Sequence, residues 1–105
     1  MPKYVLAYHG GATPDDVTEE EMGKVMAAWQ SWMESLGSDL TDQGNPIMVS
    51  KTVTASGVED GGGANPLTGY SLLNAADIDA AAAAAKGCPI FESGGTVEVG
   101  EAIEM

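Results

Sequence analysis

A stripe of seven large apolar side chains sets most of what this chain can become. Met22, Val25, Met26, Trp29, Trp32, Met33 and Leu36 recur at intervals of three and four, which puts them on one face of a helix. Thr18 stands three residues before Glu21, the capping-box spacing, and Asp15, Asp16, Glu19 and Glu20 place negative charge at the positive helix end. Gly37 follows the stripe, where a left-handed cap is expected. The pattern predicts a helix from about residue 18 to residue 36, with its apolar face against a sheet.

Strand material lies on both sides of it. Lys3 to Tyr8 is rich in aromatic and β-branched residues and ends at Gly10-Gly11. Tyr4, Leu6 and Tyr8 fall on one side and Val5 and Ala7 on the other, so this strand needs cover on both faces. Helices can cover one face, and a partner subunit is the candidate for the second. Leu40 to Ser56 is strand-like but broken by Gly44-Asn45-Pro46, with Ile47-Met48-Val49 and Thr52-Val53-Thr54 as the pieces expected to pair. Residues 57–69, with Gly61-Gly62-Gly63 and Asn65-Pro66, read as a long polar loop of the functional or mobile kind.

Tyr70-Ser71-Leu72-Leu73 reads as another strand. Asp77 then caps a second helix, Ile78 to Lys86, built on six consecutive alanines and stopped by Gly87 and Pro89. Thr96 to Met105 alternates as a final strand. The predicted order is strand, helix, strand, strand, helix, strand. That is the α+β, ferredoxin-like βαββαβ fold: a four-stranded antiparallel sheet with two helices on one face.

With 105 residues the chain suits one domain, 1–105, and buries only roughly 60–65% of the surface of its unfolded form. Dimerisation would add burial. Sixteen acidic residues face four lysines, Lys3, Lys24, Lys51 and Lys86, with no arginine, for a formal charge of −12. Phosphate backbones and anionic membrane surfaces need clustered basic side chains, so neither nucleic acid nor a membrane is an expected partner. The apolar runs fall short of a membrane span, and Met1 to Tyr8 lacks the apolar stretch of a signal peptide, so a cytoplasmic location is expected. Cys88 is the single cysteine and cannot form an internal disulfide.

The order and spacing of several segments resemble the YCII-related family, small members of the dimeric α/β-barrel superfamily. The resemblance rests on Lys3-Tyr4-Val5-Leu6, on Trp29 and Trp32-Met33-Glu34-Ser35-Leu36-Gly37, and on Gly44-Asn45-Pro46. It continues through Gly69-Tyr70-Ser71-Leu72, Lys86-Gly87-Cys88-Pro89 and Gly95-Thr96-Val97-Glu98-Val99. It implies a homodimer, two subunits facing sheet to sheet as a dimeric α/β barrel. Some relatives carry a His–Asp pair with the histidine in the first helix, and one branch eliminates chloride from a chlorinated hydroxyquinol. The matching helical position here is Met26. Another branch has Asp-Gly-Pro-Phe in its middle loop, where this chain reads Glu59-Asp60-Gly61-Gly62-Gly63-Ala64-Asn65-Pro66-Leu67.

His9, the only histidine, sits where the first strand meets Gly10-Gly11 and is the candidate acid or base. The plainer role is a loop histidine held by solvent or backbone. Four residues are candidates for ligand binding. Glu101 shares the side of Val97 and Val99, where a carboxyl would have a raised pKa, although Gly100 suggests a bulge that turns it outward. Tyr8 and Tyr70 could line a cavity or simply bond in a core, and Lys51 could hold an anion or lie at a strand edge. Asp77 and Asp79 are explained by helix capping, so no metal is expected. The glycine-rich loop lacks a phosphate-cradle pattern, and no cofactor is expected. Cys88 reads as structural. Two functions follow: a protein that binds a small organic ligand in a cleft, or a small lyase or isomerase working by proton transfer through His9.

Overall fold

The computed structural model of the chain describes residues 2–11 and 18–103. Its strands are β1 (Lys3–His9), β2 (Leu40–Asp42), β3 (Lys51–Thr54), β4 (Gly57–Asp60), β5 (Leu67–Asn74) and β6 (Thr96–Ala102). Its helices are α1 (Glu19–Leu36) and α2 (Ile78–Ala85). The main sheet has the order β2-β5-β1-β6, antiparallel throughout. With β3 and β4 set aside, this is the ferredoxin-like βαββαβ fold that the pattern of periods predicts. Asp15 and Asp16, expected at the start of α1, and Glu104 and Met105, expected in the last strand, lie outside the described residues.

Thr18 caps α1 as its spacing requires: its hydroxyl accepts from the Glu21 N–H at 3.1 Å. At the other end Gly37 has φ 61° but ψ −140°, so it is not the expected left-handed cap, and a 3-10 turn over Gly37–Asp39 leads directly into β2. Asp77 caps α2 through its carboxylate, 2.7 Å from the Ala80 N–H.

The core lies between the helices and one sheet face. Tyr4, Leu6 and Tyr8 of β1 are buried there with Ser71 and Leu73 of β5, Ala81 and Ala85 of α2, and Trp32 of α1. Alanines let α2 settle closely over β1 and β6, where any longer side chain would hold the layers apart. Trp32 donates its indole N–H to the Ala84 carbonyl at 3.1 Å, which ties the two helices together. The opposite sheet face carries Val5, Ala7, His9, Tyr70, Leu72, Glu98 and Gly100 in register and has no layer over it among the described residues. The shortest molecular extent, 18 Å, is that of a single sheet with one layer of helices.

Three strand expectations are corrected. The second sheet strand is Leu40–Asp42, ahead of Gly44-Asn45-Pro46, whereas Ile47-Met48-Val49 forms no strand. Thr52-Val53-Thr54 does pair, but with Gly57–Asp60, so a separate hairpin occupies part of the expected loop. Alternation marks strand propensity without saying which sheet receives the strand, and here the hairpin forms a sheet of its own. The bulge expected at Gly100 is absent. The β1–β6 register is continuous, and the irregularity falls instead in β5, where Thr68 is the extra residue between Gly69, opposite Tyr8, and Leu67, opposite His9.

Candidate functional site

The helical stripe does two jobs. Its C-terminal half, Trp29 to Leu36, packs on the core. In its N-terminal half, Met22, Val25 and Met26 line one side of a cleft of about 560 Å³. Gln43, Gly44, Asn45 and Pro46 line it too, with Thr68, Gly69 and Tyr8.

The 43–46 lining depends on a close backbone approach. Gly44 has φ +73°, and a Cβ there would fall 1.6 Å from the Tyr70 carbonyl oxygen, so no other residue fits. The Asp42 carboxylate accepts from the Gly44 N–H at 2.7 Å and turns the chain. Ile47 then donates to Thr68 O at 3.0 Å, and Tyr70 to Asn45 O at 3.3 Å. The bulge residue Thr68 holds the end of the sheet by sharing its hydroxyl between Tyr8 O at 3.1 Å and Gly10 O at 3.0 Å.

Tyr8 is buried, and its hydroxyl donates to Ser71 Oγ at 2.7 Å, which donates in turn to Gln43 O at 2.7 Å. Burial pushes the Tyr8 phenol up to about 12. Near neutral pH this phenol stays protonated. It is a fixed polar group, with its oxygen able to accept, rather than an acid or base. Trp29 meets Tyr8 edge to face, centroids 4.9 Å apart, and meets Trp32 the same way at 5.7 Å. The lining is thus methionine, aromatic and backbone, with Gln30, Gln43, Asn45 and Ser93 as uncharged polar groups.

Of the candidates from sequence, Tyr8 and Tyr70 come together at this cleft. Tyr70 stands at its rim, where the Asn45 amide donates to the phenol oxygen at 3.4 Å. His9 belongs to the uncovered sheet face, with Glu98 3.4 Å from its Nε2. Glu101 accepts from the Tyr4 hydroxyl at 3.3 Å, four residues along β1 from Tyr8 and so roughly 13 Å away. Burial, then the Glu101 charge, raises the Tyr4 phenol above its ordinary value. Lys51 pairs with Asp60 across the hairpin, and both are exposed. Cys88 is buried, and desolvation pushes its thiol up to about 11, which keeps it unreactive. No group of three or more metal-ligating side chains occurs among the described residues.

Asn45 and Ser71 stand in segments that carry the resemblance, but neither they nor Gln43 could be named as site residues before the fold brought them to the cleft. The methionines did carry a signal. Three on one helix face is more flexible side chain than a well-packed core needs, and such surfaces suit adaptable binding.

No protein-family model matches the chain, and no curated protein matches it. Among solved structures it is similar to 5-chloro-2-hydroxyhydroquinone dehydrochlorinase from Burkholderia phenoliruptrix, determined in complex with 2,5-dihydroxybenzoquinone. The TM-score is 0.58 at 14% identity, over 97% of this chain and 95% of that one. At that identity the likeness shows a shared fold across the full length, and the fold is one that holds a small ligand in that protein.

Proposed function

We propose that this chain is a YCII-related protein that binds a small, uncharged, hydroxylated aromatic compound in the cleft between α1 and the sheet, as a homodimer and without proton-transfer chemistry. The lining carries this reading. Among the described residues its titratable side chains are the phenols Tyr8 and Tyr70, and no carboxylate, lysine or histidine borders the cleft. An apolar wall with a few placed polar groups is the usual make-up of a site for a compact organic ligand. Met26 strengthens it: the helical position that the resemblance gives to a histidine is an exposed methionine on the cleft wall. The bound dihydroxybenzoquinone of the similar structure suggests a compact hydroxylated six-membered ring. Its hydroxyls are vinylogous acids that ionise below neutral pH, so the uncharged character of the ligand here rests on the cleft lining. A lyase or isomerase acting through His9 draws less support, because His9 is not part of this lining.

The dimer reading rests on the uncovered sheet face. Ala7 and Gly100 leave it low, while Val5 and Leu72 make it apolar, a surface that a second copy of the same sheet could cover. Binding is tested by quenching of tryptophan fluorescence with 2,5-dihydroxybenzoquinone and with uncharged dihydroxybenzenes, on wild type and on Met26→Asp. Met26 is 65% exposed, so a carboxylate there keeps much of its water and should weaken binding of an apolar ring about three- to fivefold. Equal affinity in both proteins would remove the cleft from consideration.

A further inference from the structure

Two hydroxyls of the cleft lining have no hydrogen left to give. The Tyr8 phenol donates to Ser71 Oγ at 2.7 Å, and Ser71 donates to the Gln43 carbonyl at 2.7 Å. A carbonyl oxygen has no hydrogen of its own, so it fixes the direction of the whole relay. Tyr8 and Gln43, the two ends, line the cleft, and Ser71 between them does not. Thr68, also in the lining, turns its hydroxyl hydrogen to the carbonyls of Tyr8 and Gly10, at 3.1 Å and 3.0 Å. Each of these hydroxyl oxygens keeps a lone pair and can only accept. The neighbouring backbone adds no free donor at Gly44, Pro46 or Tyr70. The Gly44 N–H is bonded to the Asp42 carboxylate, that of Tyr70 to Asn45 O, and proline has none. Gly69 faces Tyr8 across the sheet. A Cβ there would fall 3.3 Å from Tyr8 Cδ2 and 3.4 Å from Asn45 O, so the missing side chain leaves room beside the phenol ring.

We propose that Tyr8, with Thr68, selects ligands that bring a hydrogen-bond donor: ring compounds with free hydroxyls are taken, and methyl ethers or quinones that carry only carbonyls are refused. The rule deepens the cleft reading above and rests on it. A ligand hydroxyl donates to the Tyr8 oxygen while the phenol hydrogen stays on Ser71. An ether or carbonyl oxygen in the same place would set lone pair against lone pair, and the phenol would have to leave Ser71 to meet it. An ionised hydroxyl has lost its hydrogen and meets the same lone pair. That is a reason for an uncharged ligand separate from the apolar lining.

Two probes test it by ligand-observed NMR in wild type and in Tyr8→Phe: resorcinol, and meta-difluorobenzene, in which fluorines of similar size replace the hydroxyls and cannot donate. Tyr8→Phe should weaken resorcinol about three- to tenfold, the worth of one neutral hydrogen bond, and change meta-difluorobenzene by less than about twofold. A merely structural role for Tyr8 would weaken both probes alike. Equal effects on the two, or none on resorcinol, overturn the donor rule and leave the cleft standing. A wild type that binds neither probe removes the cleft reading and the rule with it. Thr68→Val gives the same comparison, with the same selective loss of resorcinol expected, and decides alone if Tyr8→Phe does not fold.

Discussion

Two tryptophans three residues apart on one helix should differ in what their removal costs. Trp32 is 7% exposed. An indole buries about 200 Å², which at about 25 cal/mol per Å² is worth roughly 5 kcal/mol as an upper figure. The Ala84 carbonyl that accepts its N–H also accepts from Gly87 N–H at 3.4 Å, so it is not orphaned by the loss. Trp32→Ala should therefore cost roughly 3–5 kcal/mol, the range for large core truncations. Trp29 is only partly buried, with the rest of its ring on the cleft. Most of its area still leaves water, but less than for Trp32, so Trp29→Ala should cost about 2–3 kcal/mol. Urea unfolding followed by far-ultraviolet circular dichroism measures both, at one fixed protein concentration because association would shift the midpoint. The rings touch, so the double variant should depart from additivity by at least about 0.5 kcal/mol. A Trp29→Ala loss equal to or above that of Trp32→Ala would refute the division of the stripe between core and cleft.

Two further outcomes follow from the same geometry. The Tyr8 phenol, ordinarily near 10, is raised to about 12 in the folded chain; the unfolded chain therefore ionises first, and the stability present below about pH 10 is lost as pH rises towards about 12. Tyr8→Phe should remove that part of the alkaline loss, and an ultraviolet phenolate titration with no late-ionising tyrosine would contradict it. For the homodimer, light scattering behind a sizing column should give twice 10.7 kDa at micromolar protein, and a mass of 10.7 kDa throughout dilution would contradict it.

Periodicity made the layers legible before any coordinates. The α1 stripe, the β1 alternation and the alanines of α2 each state which face is apolar, and the sheet-helix core follows from matching them. Register was not legible. Leu40-Thr41-Asp42 is too short to show alternation, and it becomes a sheet strand because the turn at Gly44 returns the chain beside Tyr70. The hairpin was hidden for the opposite reason: Gly57-Val58-Glu59-Asp60 has little strand character, and pairing with Lys51–Thr54 supplies it. At the site, Tyr8 and Tyr70 could be named as amphipathic strand residues. Nothing local marks Ser71 or Gln43, because their roles arise from a contact between segments 28 residues apart.

Methionine methyl groups give the most direct reading of the central claim, that the cleft is the binding site. Met22, Met26 and Met33 line it, whereas Met48 is 80% exposed outside it and serves as an internal control. In protein carrying labelled methionine methyls, titration with 2,5-dihydroxybenzoquinone or an uncharged dihydroxybenzene should shift the three cleft resonances together along one binding curve. The Met48 resonance should stay in place. Ligand that binds with the cleft methyls unmoved, or that shifts Met48 equally with them, would contradict the account.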